Sequence, residues 1–327
     1  MRSGQTHRIP ALDGWRGIAI LLVLFSHVPG WSGFTHNPFA PSGHHGVAIF
    51  FVLSGFLITS KTKAGLEEEG SSHLKRFYIR RIFRLWPCAW IYLTFVSLVG
   101  ITQKAEVVSC LLFYRNLHIA YSHPFTEHFW SLSVEEQFYL TWPFLLLLGR
   151  RVVWIAGIVI ACLLPIYPSF FGWPFACLLM GCVAAFVPLN LAVRIPPPLR
   201  WITLSASLLV IAWNALASRI PYPADWIAIA FAIWITASAR VPAATGALEF
   251  KPLAWLGVIS YSVYLWQQVI ALYPLGHVWY AIPWKIAIIL AIASFSYYCL
   301  ERPMIRLGHL LASACTARPN LVTSSGR

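Results

Sequence analysis

Apolar stretches close to twenty residues long recur along the whole chain, and no other feature restricts its fold as severely. They fall at about 12–29, 43–60, 82–100, 129–148, 152–168, 172–189, 200–217, 222–239, 252–272 and 283–300. A helix of that length crosses a hydrocarbon core of roughly 30 Å. With no water there to satisfy peptide groups, a spanning segment closes its hydrogen bonds within itself. The expectation is an all-α, polytopic membrane helix bundle of about ten transmembrane helices. Composition agrees. Hydrophobic residues make up 58% of the 327 and charged residues 11%, against about 25% charged in soluble domains.

Charge placement sets the topology. The net charge is +13, which in a soluble protein raises nucleic-acid binding. Here the basic residues sit in short loops, and no nucleic-acid partner is expected. With the N-terminus cytoplasmic, 19 of the 24 Lys and Arg fall in cytoplasmic segments. Only Lys104, Arg115, Arg219 and Lys285 fall outside. This is a positive-inside pattern with both termini cytoplasmic, and it fits a bacterial inner membrane. The first apolar run lacks a small-residue cleavage site and reads as a retained span. Residues 105–122 read as an interfacial helix, 1–306 as one membrane domain and 307–327 as a polar, mobile tail. The scattered cysteines include no CxxC pair and read as small embedded hydrophobes, with neither disulfide nor zinc expected.

Ionisable residues inside spans are expensive, so they point to function. The first span carries Arg16 and His27. Eleven residues apart, they return to one helix face about 16 Å apart along the axis. Asp13 lies one turn from Arg16 and can pair with it. Taken alone, Arg16 also reads as a snorkelling anchor and His27 as an interfacial histidine. Glu135 and Glu136 lie in the outer half of the fourth span, at an expected depth similar to His27. There one of them could orient the imidazole for general-base work, or both could bond neighbouring helices. At the mouth of the third span, Arg80, Arg81 and Arg84 share one side of a helix turn. They suit phosphate, which Arg binds with two parallel hydrogen bonds, or serve as a plain cytoplasmic anchor.

These constellations, in this order, resemble the acyltransferase-3 family of membrane O-acyltransferases. The resemblance rests on ALDGWRGIAILLVLFSH, GVAIFFVLSGFLIT, RRIFRLWP, FWSLSVEEQFYLTWP, LGVISYSVYLWQQ and LERPMIR, and covers nearly the whole chain. It implies transfer of an acyl group, commonly acetyl from acetyl-CoA, onto a carbohydrate, lipid-linked saccharide or other hydroxyl acceptor. It assigns His27 and Arg16 to catalysis and Arg81 and Arg84 to the R-x-x-R pair. The glutamates of its SVEEQFY string are Glu135 and Glu136. Many relatives have an acidic residue where Ala48 stands and a His where Gln267 stands. Some relatives continue into an esterase-like domain, so the membrane domain or a partner is expected to complete transfer here.

Joined together, these readings place the phosphates of cytoplasmic acyl-CoA on Arg81, Arg84 and Arg80. The pantetheine arm then passes Arg16, and His27 takes the proton of an acceptor hydroxyl arriving from the outer side. Ser131 or Ser133, with Tyr261 or Tyr264, would bind acceptor or oxyanion. Ser54-Gly55 reads as close helix packing, although Ser54 could carry an acyl group. The outer histidines, His128 among them, show no ligand spacing, and no metal is expected. The rival reading is a secondary transporter or flippase, which would favour matching internal halves. Such halves are not visible in the sequence.

Overall fold

The apolar stretches among the described residues fold as helices. The computed structural model describes residues 9–27, 42–99, 103–117, 123–149, 151, 172–217, 220–239, 242–271 and 281–315, and every regular element among them is helical. The first half holds α1 (Pro10–His27), α2 (Ser42–Glu69), α3 (Ser72–Leu98), α4 (Lys104–Leu111), a 3₁₀ turn (Arg115–Leu117) and α5 (Phe129–Leu148). Then come α6 (Trp173–Phe186), α7 (Leu189–Val193), α8 (Pro197–Ala217) and α9 (Pro223–Ala239). The chain continues through α10 (Pro242–Leu248), α11 (Lys251–Val258), α12 (Ser260–Ala271), α13 (Ala281–Ser296), a π turn (Tyr297–Glu301) and α14 (Arg302–Ala314). Proline opens α6, α11 and α14 within the first two positions, where its missing N–H costs nothing.

The core forms where glycines let backbones touch. A Cβ on Gly14 would lie 2.0 Å from the Leu248 carbonyl oxygen, and one on Gly257 1.8 Å from that of Asp13. These contacts lock α1 against α10 and α11. Gly55 and Gly181 do the same between α2 and α6, each within 2.1 Å of a backbone oxygen across the seam. Membrane helices associate through such small-residue contacts, because lipid gives side chains no hydrophobic reason to leave it. Around this core the outward faces stay apolar. Trp201, Ile202, Leu209 and Trp213 on α8 and Trp284 and Phe295 on α13 are exposed. Three described stretches, Ser42–Glu69, Pro197–Ala217 and Pro283–Ala314, are long and apolar enough to cross a membrane.

Several expectations need correction. The stretch 252–272 is two helices broken at Ile259, whose backbone leaves helical geometry. The last apolar stretch continues through the π turn into α14, so residues 307–314 are helical rather than part of a tail. They are held because Gly308 lets α14 lie against Phe83 and Arg80 of α3. The expected span 152–168 and residues 316–327 lie outside the described residues. The interfacial segment is α4 plus the 3₁₀ turn. It is built on a buried ion pair, Arg115 Nη2 to Glu106 Oε1 at 3.3 Å. The same carboxylate accepts from the Thr126 hydroxyl and, at 2.7 Å, from the His123 amide.

Candidate functional site

Helices α1 and α2 run antiparallel, and their contacts fix the depth of each polar residue. Gly43 of α2 sits against Ser26, with His27 Cε1 3.9 Å from where its Cβ would be. The eleven residues from Gly43 to Ser54 cover about 16 Å of helix. Ser54 therefore lies near the level of Arg16, well away from His27.

At that level the bundle holds a partly open cavity with about 80 Å³ of water-accessible space. Its polar lining is Arg16 of α1, Ser54 of α2, and Arg81 and Arg84 of α3. Helix α5 adds Ser131, Glu135 and Tyr139, and α12 adds Ser260, Tyr261 and Tyr264. The break at Ile259 starts α12 beside the cavity and presents these last three to it. Val47, Phe50, Phe51, Leu85 and Leu132 complete the wall.

Arg81 organises the cavity's charges. Its Nη2 lies 3.8 Å from Glu135 Oε1 and its Nε 3.7 Å from Glu136 Oε1. Its guanidinium carbon stands 3.4 Å over the Tyr139 ring, a cation–π contact. Glu135 also accepts from the hydroxyls of Ser54 and Tyr139, and Glu136 from Trp86 Nε1 at 3.1 Å. The two carboxylates are thus bound to Arg81, and neither bonds His27 among the described residues. The expected shared depth of His27 and the glutamates is corrected accordingly. The pair faces α3 and the middle of α2, while His27 ends α1.

The backbone orients His27 instead. Its Nδ1 lies 2.8 Å from the Val23 carbonyl oxygen and 3.0 Å from Ser26 Oγ, which itself donates to Val23 at 2.7 Å. A carbonyl oxygen can only accept, so this contact needs the proton on Nδ1, which in the neutral imidazole leaves Nε2 as the acceptor. That is the tautomer a general base needs. Arg16 pairs with Asp13 at 3.4 Å, as the helical spacing predicts.

Other expected residues divide. Tyr264 lines the cavity and shares a hydrogen bond with Ser131. Tyr261 lines it too, but its hydroxyl donates to the Leu85 carbonyl at 2.7 Å. Ser133 does not line it. That side chain is fully buried and accepts from the Arg115 backbone amide at 3.2 Å. Arg80 turns from the cavity towards α14, its Cα 3.6 Å from the position of a Gly308 Cβ. Tyr139 has no role in the sequence reading, and Ser54-Gly55 reads there as close helix packing, with Ser54 as the alternative acyl carrier. Tyr139 follows Glu135 by four residues and so shares its face, a signal that was available. At Ser54-Gly55 the glycine packs while the serine faces the cavity. At the cavity's Arg16 end, Glu301 is buried and accepts from Ser262 Oγ at 2.7 Å. No group of three or more His, Cys, Asp or Glu side chains converges among the described residues.

An all-helical chain with apolar outer faces and a charged cavity inside defines a protein of membrane character with a buried polar site. The chain belongs to the acyltransferase-3 family, whose model, described as an acyltransferase domain, matches residues 9–300. Among relatives, it is similar to the peptidoglycan O-acetyltransferase OatA of Listeria monocytogenes, at 28% identity across 92% of this chain and 56% of that protein. A Bacillus subtilis protein, YrhL, named provisionally as a peptidoglycan O-acetyltransferase, is 28% identical across 92% of this chain and 55% of its own length. A provisionally named O-acetyltransferase of Staphylococcus aureus is 27% identical, with 92% and 58% covered. The chain thus spans little more than half the length of these relatives. No solved structure matches it.

Proposed function

We propose that this protein is a multi-pass membrane O-acetyltransferase. It moves an acetyl group from cytoplasmic acetyl-CoA to a hydroxyl of a peptidoglycan-like carbohydrate at the outer side. The observation that carries the reading is a cavity lined by Arg16, Arg84, Ser131 and Tyr264, with a histidine on the same helix as Arg16 whose Nδ1 faces a backbone carbonyl. The relatives' names supply the acetyl group and the acceptor class.

In this reading the pantetheine arm threads the cavity from the arginine end, and its thioester is delivered towards His27. The acceptor hydroxyl loses its proton to His27 Nε2 as its oxygen bonds to the thioester carbonyl carbon. The carbon–sulfur bond then breaks, and the imidazolium returns the proton to the departing thiolate. The products are an ester and free CoA. General-base help of this kind contributes about 10²–10⁴-fold. Arg81, held by two carboxylates, positions the cavity wall, and Arg84 is the arginine left to meet phosphate. The ten-span topology and cytoplasmic termini belong to the same proposal, supported by the distribution of Lys and Arg.

The test is acetyl-CoA turnover by the purified protein in nanodiscs, followed as release of free CoA. His27→Ala is expected to abolish turnover while CoA binding persists, and Arg84→Gln to weaken CoA binding. A wild-type protein that neither binds nor consumes acyl-CoA would sink the donor assignment and favour a transporter.

A further inference from the structure

The arginine end of the cavity leaves two of its cations without a carboxylate in ion-pair contact among the described residues. Asp13 pairs with Arg16, and Glu135 and Glu136 with Arg81. Glu301 faces Arg84 and Arg16 at longer range. Arg84 forms no ion pair among the described residues, and neither does Lys61. Lys61 of α2 nevertheless lies within electrostatic reach of Arg16, Arg84 and Arg81 together. Helix geometry agrees independently. Lys61 follows Ser54 by seven residues, two turns on the same stripe of α2, and so sits about 10 Å beyond Ser54 on the cavity's face. Unlike the cavity-lining arginines, it is solvent-exposed. Arg84 and Lys61, neither of them in an ion pair among the described residues, repel each other unless an anion joins them.

We infer that Lys61 is a further donor-binding residue and takes the ribose phosphate of CoA at the rim of the cavity. The inference rests on the acyl-CoA reading above. CoA is a thin arm followed by a diphosphate and then a nucleoside that bears a separate phosphate. With the arm in the cavity, the ribose phosphate is the last charged group outside, and Lys61 is an exposed cation there. A compact ammonium on a flexible stem suits a single phosphate as a point charge, whereas the planar guanidinium of Arg84 suits a bidentate contact. The headgroup of an anionic lipid offers the same phosphate chemistry, so the experiment separates the two sources.

The experiment measures binding of CoA and of dephospho-CoA, which lacks the ribose phosphate, to wild type, Lys61→Gln and Lys61→Arg in zwitterionic nanodiscs. Wild type is expected to favour CoA by about tenfold, the scale of one charge-assisted contact. Lys61→Gln should bring CoA down to the dephospho-CoA affinity and leave dephospho-CoA binding unchanged. Lys61→Arg should restore most of the preference. Equal weakening of both ligands, or no change in either, overturns the inference while leaving the acyl-donor reading intact. So does a loss in Lys61→Gln that appears only with phosphatidylglycerol in the disc, which assigns the lysine to lipid. Absence of CoA binding by wild type overturns the donor reading itself, and this inference with it.

Discussion

Gly257→Ala is the sharpest perturbation the packing offers. The new methyl carbon would sit 1.8 Å from the Asp13 carbonyl oxygen, 2.7 Å from its carbon and 3.1 Å from the Gly17 nitrogen. Ordinary contact begins near 3.4 Å, and all three neighbours are backbone, so no side chain can swing aside. Helices α1 and α11 must part along the seam that fixes Arg16. Overpacking of this kind costs about 1–3 kcal/mol, and a displacement near 1 Å at a catalytic group can cost about 10²-fold in rate. The matched control is Gly246→Ala in α10, where a Cβ meets nothing within 4 Å. There the substitution should stabilise the helix by up to about 1 kcal/mol. The assay pairs thermal unfolding in detergent with acetyl-CoA turnover. Lower Tm and lost turnover in Gly257→Ala, with both preserved in Gly246→Ala, is the expected result. A Gly257→Ala protein that matches wild type in both would show that α1 and α11 do not meet as described.

Three further outcomes follow from other contacts. Arg115→Met strands the buried Glu106 carboxylate and should destabilise by about 3–5 kcal/mol, with Glu106→Gln added in the same chain recovering part of the lost Tm. Glu135→Gln removes a charge from Arg81 and should lower Tm and turnover together, whereas a change in turnover alone would assign Glu135 a direct chemical role. Burial, and then the neighbouring Arg80 charge, hold the His73 imidazole below its ordinary value. The stability His73 contributes is therefore complete above an unfolded value of about 6.5 and is lost as pH falls below it. His73→Gln should flatten that acid-side decline in Tm, and an unchanged decline would remove His73 as its source.

Much of the cavity was legible because intramembrane charge is costly and therefore conspicuous. Arg16 and Glu135 stand out on that ground, Arg81 and Arg84 as a phosphate-suited cluster at the mouth of the third span, and all four line the cavity. Periodicity could not reveal which helix each one faces. Arg80 shares a helix turn with Arg81 and Arg84, yet Gly308 draws α14 against its side of α3. Ser133 lies two residues from Ser131 and so points elsewhere, towards the Arg115 backbone. The depth of the glutamates was misjudged because span limits set depth only to within a turn or two, while the α1–α2 glycine contacts fix it closely. The break at Ile259 left no signal, since neither proline nor a polar gap marks it. Lys61 was counted only as one more cytoplasmic charge, because its convergence with Arg16 and Arg84 exists only once α1, α2 and α3 are packed.

The leash on Arg81 also bears on how the chain is made. Arg81 belongs to α3, and its two carboxylates belong to α5, which is synthesised later, after α4 and the 3₁₀ turn. On the membrane reading, Arg81 reaches the mouth of its span before its counter-charges exist, and its long side chain stays at the headgroups meanwhile. Glu135 and Glu136 arrive later with α5, and docking beside α3 relieves all three charges together. An α5 inserted out of register would keep two carboxylates in lipid without their counter-charge. The grip that shapes the finished cavity would then also favour one register of α5 during biogenesis.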